Sequence, residues 1–585
     1  MGNPDNPSMV AAHTALSDKQ SRPDAAAGIS FPARMEGSRI FRLLPLKSLC
    51  IVFGLYGLLP GAALAASANT SQAAGESIVV MTDKGAVRGL MRNGVREFKG
   101  IPYAAAPVGE LRWQVPQERR PWTGTLDATK FGNSCPQAAR YGLTEASYEE
   151  DCLSLNITIP SENSNPEGLQ KLPVLVWIYG GAFVGGSSAL YPLDHMAKIG
   201  NVIVVSINYR IGVFGFMAHP AFDRSTDGDY GQADQRQALL WIKRNIAAFG
   251  GDPANVTIAG ESAGAASVCV QMLAPVAAKG LFQKAIVQSA GCVQHLRTLD
   301  ESDQVGLKVA AEVGCGDPPT ALGCMRAKTA KVLVDAAAKV GGSDVMTFAP
   351  SVGTEAVPRQ GAQAMASGQF VQVPMINGGN REELRLYVAY AARDGQHVTA
   401  QTYAASLQAV YGDKAPLVLA EYPLSGFSSA SSALGSVMSD FRPDNGLNNC
   451  IYLQTAKLAA KHVAVYEYEF ADPNPPPVTQ DPGFEMGAVH SAELPYQFPH
   501  FSNTKELEGP DLSSGAQRLS DQMLRYWTSF AANGVPSAQN APAWTPFKDG
   551  SRVLRLDQGS VDYFDASAAH HCSFWQRQYP ALLSH

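Results

Sequence analysis

Residues 255–264 read NVTIAGESAG, a β-branched run that passes straight into Gly-x-Ser-x-Gly, and the Ala-rich stretch AGAASVCVQMLA (263–274) overlaps its end. A chain that turns from strand to helix in so few residues has no room for bulk at the turn, hence Gly260 and Gly264 on either side of Ser262. The bare pattern is weak: with 54 glycines in the chain, on the order of a few tenths of a chance match is expected. The strand before it and the helix after it give it meaning. In that setting the serine is thrust above the sheet, at a helix N-terminus whose dipole favours developing negative charge.

The rest of the chain supplies the sheet such a turn needs. KLPVLVWIYG (171–180), NVIVVSINY (201–209), NVTIAG (255–260), KAIVQS (284–289), VPMIN (373–377) and HVAVYEYEF (462–470) read as buried strands. Helical patterns such as QADQRQALLWIKRNIAAF (232–249) lie between them. This alternation predicts an α/β fold, a mostly parallel central sheet with helices on both faces, and the Gly-x-Ser-x-Gly turn on it points to the α/β-hydrolase type. No fixed-period repeat is visible. The Pro-rich segment 471–484 reads as a surface loop, because strand-like segments flank it. Ligands on such sheets bind at the carboxyl ends of the strands.

One of those ends is WIYGGAFVGG (177–186), which leaves its strand through consecutive small residues. Acyl-transfer chemistry needs backbone N–H groups free to hold a tetrahedral oxyanion, and side chains there would obstruct them. One such donor follows the nucleophile, here Ala263, and others come from a loop of this kind, here Gly181 and Ala182. A phosphate-cradling loop is disfavoured, since no Gly-Lys-Ser/Thr follows. Phe183, Phe214 and Phe216 read either as an apolar pocket beside this loop or as core.

Charge and the N-terminus narrow the setting. The formal balance is 46 − 52 = −6, with no basic stripe, so nucleic acid is a poor partner. Residues 1–34 are polar and aperiodic; Arg39, Arg42 and Lys47 then precede LCIVFGLYGLL (49–59), Pro60 and GAALAASA (61–68). That is the n-region, h-region and small-residue cleavage site of a secretory signal, with Met35 where such a signal would normally start. Eleven apolar residues ending in Pro are too few for a membrane anchor, which needs about 20. The expected organisation is an extension plus signal over 1–66 and a single catalytic domain over 67–585, secreted or periplasmic. Asn156 and Asn255 match the glycosylation pattern but fall in or beside buried strands, so both are read as chance. His570 and His571 lack metal-ligand spacing, and no metal or cofactor is called for. Of nine cysteines, one (Cys50) sits in the apolar run, which leaves 9 − 1 = 8 for an oxidising compartment. Spacing suggests two local loops, Cys135 to Cys152 and Cys315 to Cys324, and does not decide the rest.

Several long segments, in order, resemble the type-B carboxylesterases, the cholinesterase and carboxylesterase family. They are FKGIPYAAAPVGELRW (98–113), EEDCLSLNI (149–157) and GDYGQADQRQALLWIKRNIAAFGGDPANVTIAGESAG (228–264). The resemblance covers nearly the whole chain beyond the leader. It implies Ser262 as nucleophile. It further implies Glu383 as the acid, in GGNREEL (378–384), where Leu384 replaces the usual glycine and Glu382 the usual aspartate. It implies His490 as the base, in AVHSAELPYQF (488–498), with Ser491 in place of glycine. The chain order serine, acid, histidine is that of α/β hydrolases. It also implies three disulfides: Cys135–Cys152, Cys315–Cys324 and the long-range Cys450–Cys572. Cys269, mid-helix, and Cys292, after the next strand, are expected as buried free thiols, which pack as small hydrophobes.

The expected function is a secreted serine carboxylesterase that cleaves small-molecule esters through an acyl-enzyme on Ser262. Two other readings stay open on sequence: a catalytically dead, cholinesterase-like binding or adhesion protein, and another acyl transfer (amidase, lactonase or transacylase) on the same residues. The leader reading has its own test. N-terminal sequencing of the exported protein should find a first residue between Ala66 and Asn69, and a mature chain retaining residues 1–60 contradicts it.

Overall fold

The protein's sheet is built outward from its most apolar strands. Leu172–Ile178, Ile203–Ile207 and Lys284–Gln288 are buried almost throughout, as strands covered on both faces must be. The computed structural model describes residues 76–583, except 140–144, 162–170, 343, 345, 355, 505–508, 549 and 551. The expected extension and signal over 1–66 therefore lie outside the described residues.

From one side, the parallel strands run Ile203–Ile207, Leu172–Ile178, Gly251–Glu261, Lys284–Gln288, Met375–Asn380, Val465–Phe470 and Arg552–Leu556. Antiparallel strands extend both ends, Ser154–Pro160 and its neighbours on one side and Val561–Asp565 on the other, giving 13 strands in all. The strand Gly251–Glu261 sits near the middle, paired with Leu172–Ile178 and with Lys284–Gln288. Helices Tyr230–Asn245 and Ala263–Met272 form where helices were expected, the second buried on all sides. The strand expected over 373–377 runs instead to Asn380, because its glycines pair with the chain of Val465–Phe470.

Phe183, Phe214 and Phe216 belong to the core: each is at most 2% exposed, and Phe183 meets Phe216 edge-on at 4.8 Å. Asn156 is buried in its strand and donates to Ser188 and Ser206, while the Asn255 amide donates to the Ala532 carbonyl. Both amides are thus engaged inside the fold. His570 is also buried, held between the carboxylates of Asp440 and Glu469. Among the described residues, no helix is long and apolar enough to cross a membrane.

Four cysteine pairs lie at bonding distance: Cys135–Cys152, Cys269–Cys292, Cys315–Cys324 and Cys450–Cys572. The second replaces the expected free thiols. The two residues looked independent because one is in a helix and the other beyond a strand. The helix packs on that strand, however, and their Cα atoms come within 5.0 Å. Their separation of 23 residues sets the expected effect of breaking the bond. The double variant Cys269→Ala/Cys292→Ala should lose about 3 kcal/mol of stability in denaturant unfolding. Unreduced wild type, alkylated in denaturant, should take no label on either cysteine, and label there would restore the free-thiol reading.

Candidate active site

Four carboxyl ends of the parallel sheet supply the site, with Lys284–Gln288 lying between the second and the third. The strand Leu172–Ile178 leads into the glycine loop, Gly251–Glu261 into Ser262, Met375–Asn380 into Glu383, and Val465–Phe470 into the long segment carrying His490. Neighbouring strands end side by side, so residues far apart in the chain converge.

At the turn, Ser262 has φ 58° and ψ −125°, backbone angles that L-residues avoid. Its surroundings hold it there. The Ser262 N–H donates to the Gln288 carbonyl at 2.9 Å, and its own carbonyl accepts from Ala266 N–H at 2.8 Å. A Cβ on Gly260 would lie 2.5 Å from the Gly264 carbonyl carbon, and one on Gly264 would lie 2.0 Å from the Ile178 oxygen. Bulk at either position would push helix and sheet apart. In the glycine loop, Gly181 has φ 122° and its Cβ would strike the Gly185 carbonyl; Ala182 at φ 54° and Phe183 at φ 60° continue the left-handed run. The run ends in a tight turn in which Val184 and Gly185 N–H both donate to the Gly181 carbonyl. Among the described residues, the N–H groups of Gly181, Ala182 and Ala263 have no acceptor.

The structure brings Ser262, His490 and Glu383 together. Ser262 Oγ lies 2.8 Å from His490 Nε2, and His490 Nδ1 lies 2.7 Å from Glu383 Oε2. The second Glu383 oxygen, Oε1, accepts from the Asn380 N–H and from the Tyr452 hydroxyl, each at 2.9 Å. Bonded on both oxygens and buried, this carboxylate leaves the His490 ring one orientation. The neighbouring Glu382 faces elsewhere: its Oε2 accepts the Ala488 N–H at 2.9 Å, and its own N–H donates to the Ala488 carbonyl. It straps down the segment that carries His490 without touching the ring.

Two further glutamates stand in the same buried cluster and had no role in the sequence reading. Glu261 Oε1 is 3.3 Å from His490 Nε2 and accepts from the Ser491 hydroxyl at 2.8 Å. Glu493 accepts from the Asn380 amide at 2.6 Å and from the Gln288 amide at 3.3 Å. Burial pushes the Glu493 carboxyl up to about 8, helped by the charges of Glu261 and Glu383. Burial would lower His490, but the facing carboxylates of Glu261 and Glu383 outweigh it and hold the imidazole above its ordinary value. The signals were present, since Glu261 fills the variable place of the Ser262 motif and Glu493 closes the HSAE stretch. Nothing in the one-dimensional pattern puts them against one ring.

Above Ser262 opens a cleft lined by Leu386, Tyr387 and Tyr390 of the helix Arg385–Arg393 and by Tyr191 and Phe501. Its floor is Gly181, Ala182, Ser262 and His490. A hydroxyl paired with an imidazole, beside unengaged N–H groups and below an aromatic-walled cleft, suits attack on a carbonyl carbon.

The profile of the carboxylesterase family matches residues 76–575. Fumonisin B1 esterase of Sphingopyxis macrogoltabida is 32% identical over 515 residues, covering 85% of this chain and 89% of that protein. Para-nitrobenzyl esterase of Bacillus subtilis (strain 168) is 32% identical over 497 residues, covering 82% and 94%. A solved PNB esterase structure superposes with a TM-score of 0.69 at 31% identity, over 84% of this chain and 99% of that one. With the profile spanning the whole sheet and the site, the chain belongs to the carboxylesterase family, enzymes of the α/β-hydrolase fold that cleave carboxylic esters.

Proposed function

We propose that the protein is an exported serine carboxylesterase, acting as one catalytic domain on small-molecule carboxylic esters through an acyl-enzyme on Ser262. The observation that carries this reading is the hydrogen-bonded chain Ser262–His490–Glu383 at the floor of the cleft, at 2.8 and 2.7 Å. Export is supported by four disulfides, which persist in oxidising compartments.

The chemistry follows from which groups can move a proton. Glu383, an acceptor on both oxygens, takes the Nδ1–H of His490 and leaves Nε2 to accept the Ser262 hydroxyl proton. The serine oxygen then bonds to the ester carbonyl carbon. The carbonyl oxygen gathers the negative charge, and the Gly181, Ala182 and Ala263 N–H groups, unengaged among the described residues, hold it. The imidazolium returns its proton to the departing alcohol as the C–O bond breaks, which leaves the acyl group on Ser262. Water, deprotonated by the same nitrogen, attacks the acyl carbon and releases the acid. No other group is required for either half.

An organophosphonate probe should add once, on the peptide carrying Ser262, and abolish ester hydrolysis. Labelling at another residue, or full activity in Ser262→Ala, would sink the reading. The two adjacent glutamates give a sharper test. Glu383→Gln favours the wrong tautomer of His490 and should lose on the order of 10²–10⁴ in kcat with little change in KM. Glu382→Gln keeps a carbonyl for the Ala488 N–H and should stay within roughly tenfold of wild type. Equal losses in both folded variants would mean that Glu383 has no special relation to His490.

A further inference from the structure

Directly after His490, Ser491 has φ 67°, in the left-handed region where glycine is at home and a side chain is strained. The residue is buried, so its hydroxyl also has to find a partner inside the fold. It finds Glu261 Oε1 at 2.8 Å, the same oxygen that stands 3.3 Å from His490 Nε2. Ser491 is the only side chain among the described residues that donates a hydrogen bond to this carboxylate. A turn alone does not call for a serine here, since glycine would make it without strain. The hydroxyl is what the serine adds.

We propose that Ser491 is a positioning residue whose hydroxyl locks the Glu261 carboxylate, ionised, against the Nε2 side of His490. The imidazolium formed during ester cleavage is then faced by Glu261 as well as by Glu383. This rests on the reading of His490 as the base. The groups around the two residues are few. Glu383 and Glu261 touch the His490 ring, the Tyr452 hydroxyl caps Glu383, and the Tyr387 ring lies 5.8 Å from the imidazole. Tyr191 and Glu493 act on Glu261 and on the cluster from further off. Burial raises the Glu261 carboxyl overall, and His490 and the Ser491 hydroxyl are the groups that pull it back toward the charged form.

The sign of the expected effect follows. Without the hydroxyl, Glu261 takes up a proton more readily and His490 loses the largest of the charges that raise it. The acid limb of kcat/KM, which tracks deprotonation of His490, then moves to lower pH. The imidazolium is also less stabilised, so kcat falls.

The experiment is the pH profile of Ser491→Gly and Ser491→Ala on a neutral chromogenic ester. The acid limb should move down by about half a pH unit or more, with kcat lower by about three- to tenfold and KM within about twofold. Ser491→Gly relieves the strained backbone, so it should melt no lower than wild type and carries the test if the alanine variant folds poorly. In a Glu261→Gln background, Ser491→Gly should move the limb no further. An unmoved limb with wild-type kcat overturns the proposal, as does an equal shift with and without the Glu261 carboxylate, or a change confined to KM. Phosphonate labelling of the same preparations separates the two levels: Ser262 labelled with an unmoved limb removes only the role of Ser491, whereas no label on wild-type Ser262 removes the reading of the site.

Discussion

A gap too narrow for one methyl group lies between the helix that follows Ser262 and the sheet beneath it. A Cβ on Gly264 would stand 2.0 Å from the carbonyl oxygen of Ile178, in the strand next to the one that carries the serine. This contact sets the height of Ser262 above the sheet. It also keeps the first helical N–H, at Ala263, level with the glycine loop, because that loop leaves the same strand two residues beyond Ile178. The strained angles at Ser262 are tolerable only because helix, strand and the Gln288 carbonyl all fix the same residue. Shift the helix outward by one methyl radius and the hydroxyl, the N–H groups and the imidazole lose their common focus.

Electrostatics adds a second constraint, which works against stability. Glu261, Glu383 and Glu493 are buried beside a single histidine, and a carboxylate without partners in such a place costs several kcal/mol. Each is accommodated differently. Glu383 is surrounded by donors, from Asn380, Tyr452 and His490. Glu493 has its proton affinity raised so far, to about 8, that it is mostly neutral at neutral pH. Glu261 shares His490 with Glu383 and has the Ser491 hydroxyl. Three identical side chains are thus accommodated by different neighbours, and the one bonded to Nδ1 is the one that accepts the most hydrogen bonds.

Much of this architecture was legible in the sequence because it is local. The central strands announce themselves as runs of Val, Ile and Leu, and the steric need for Gly260 and Gly264 can be stated before any coordinate is known. Glu383 and His490 were reached through a family resemblance, since their spacing from Ser262, 121 and 228 residues, carries no physical signal of its own. What escaped was whatever depends on two segments meeting in space. Cys269 and Cys292 looked like separate thiols until the helix was laid on its strand. Phe183, Phe214 and Phe216, offered as pocket or core, turned out to be core, whereas the aromatic wall comes from Tyr387 and Tyr390 on the helix after Glu383. A helix face can be read from periodicity, but not which cavity it will border.

The two places where the chain departs from the family pattern by replacing a glycine have opposite physical meanings. Leu384 takes φ −87° and ψ 0°, ordinary helical territory where glycine has no advantage. Its side chain is buried, its N–H donates to the Ser439 hydroxyl at 2.9 Å, and the next residue, Arg385, bonds Ser436 and the carbonyls of Glu485 and Met486. The replacement thus adds packing, while Arg385 ties the turn after Glu383 to the segment leading to His490. Ser491 takes φ 67°, where glycine would be easier, and its hydroxyl is spent inside the site on Glu261. Both are the loss of a glycine when read as letters. As backbone angles, one is a gain in packing with no strain, and the other is strain held in place by a hydrogen bond to a carboxylate that faces the reacting nitrogen.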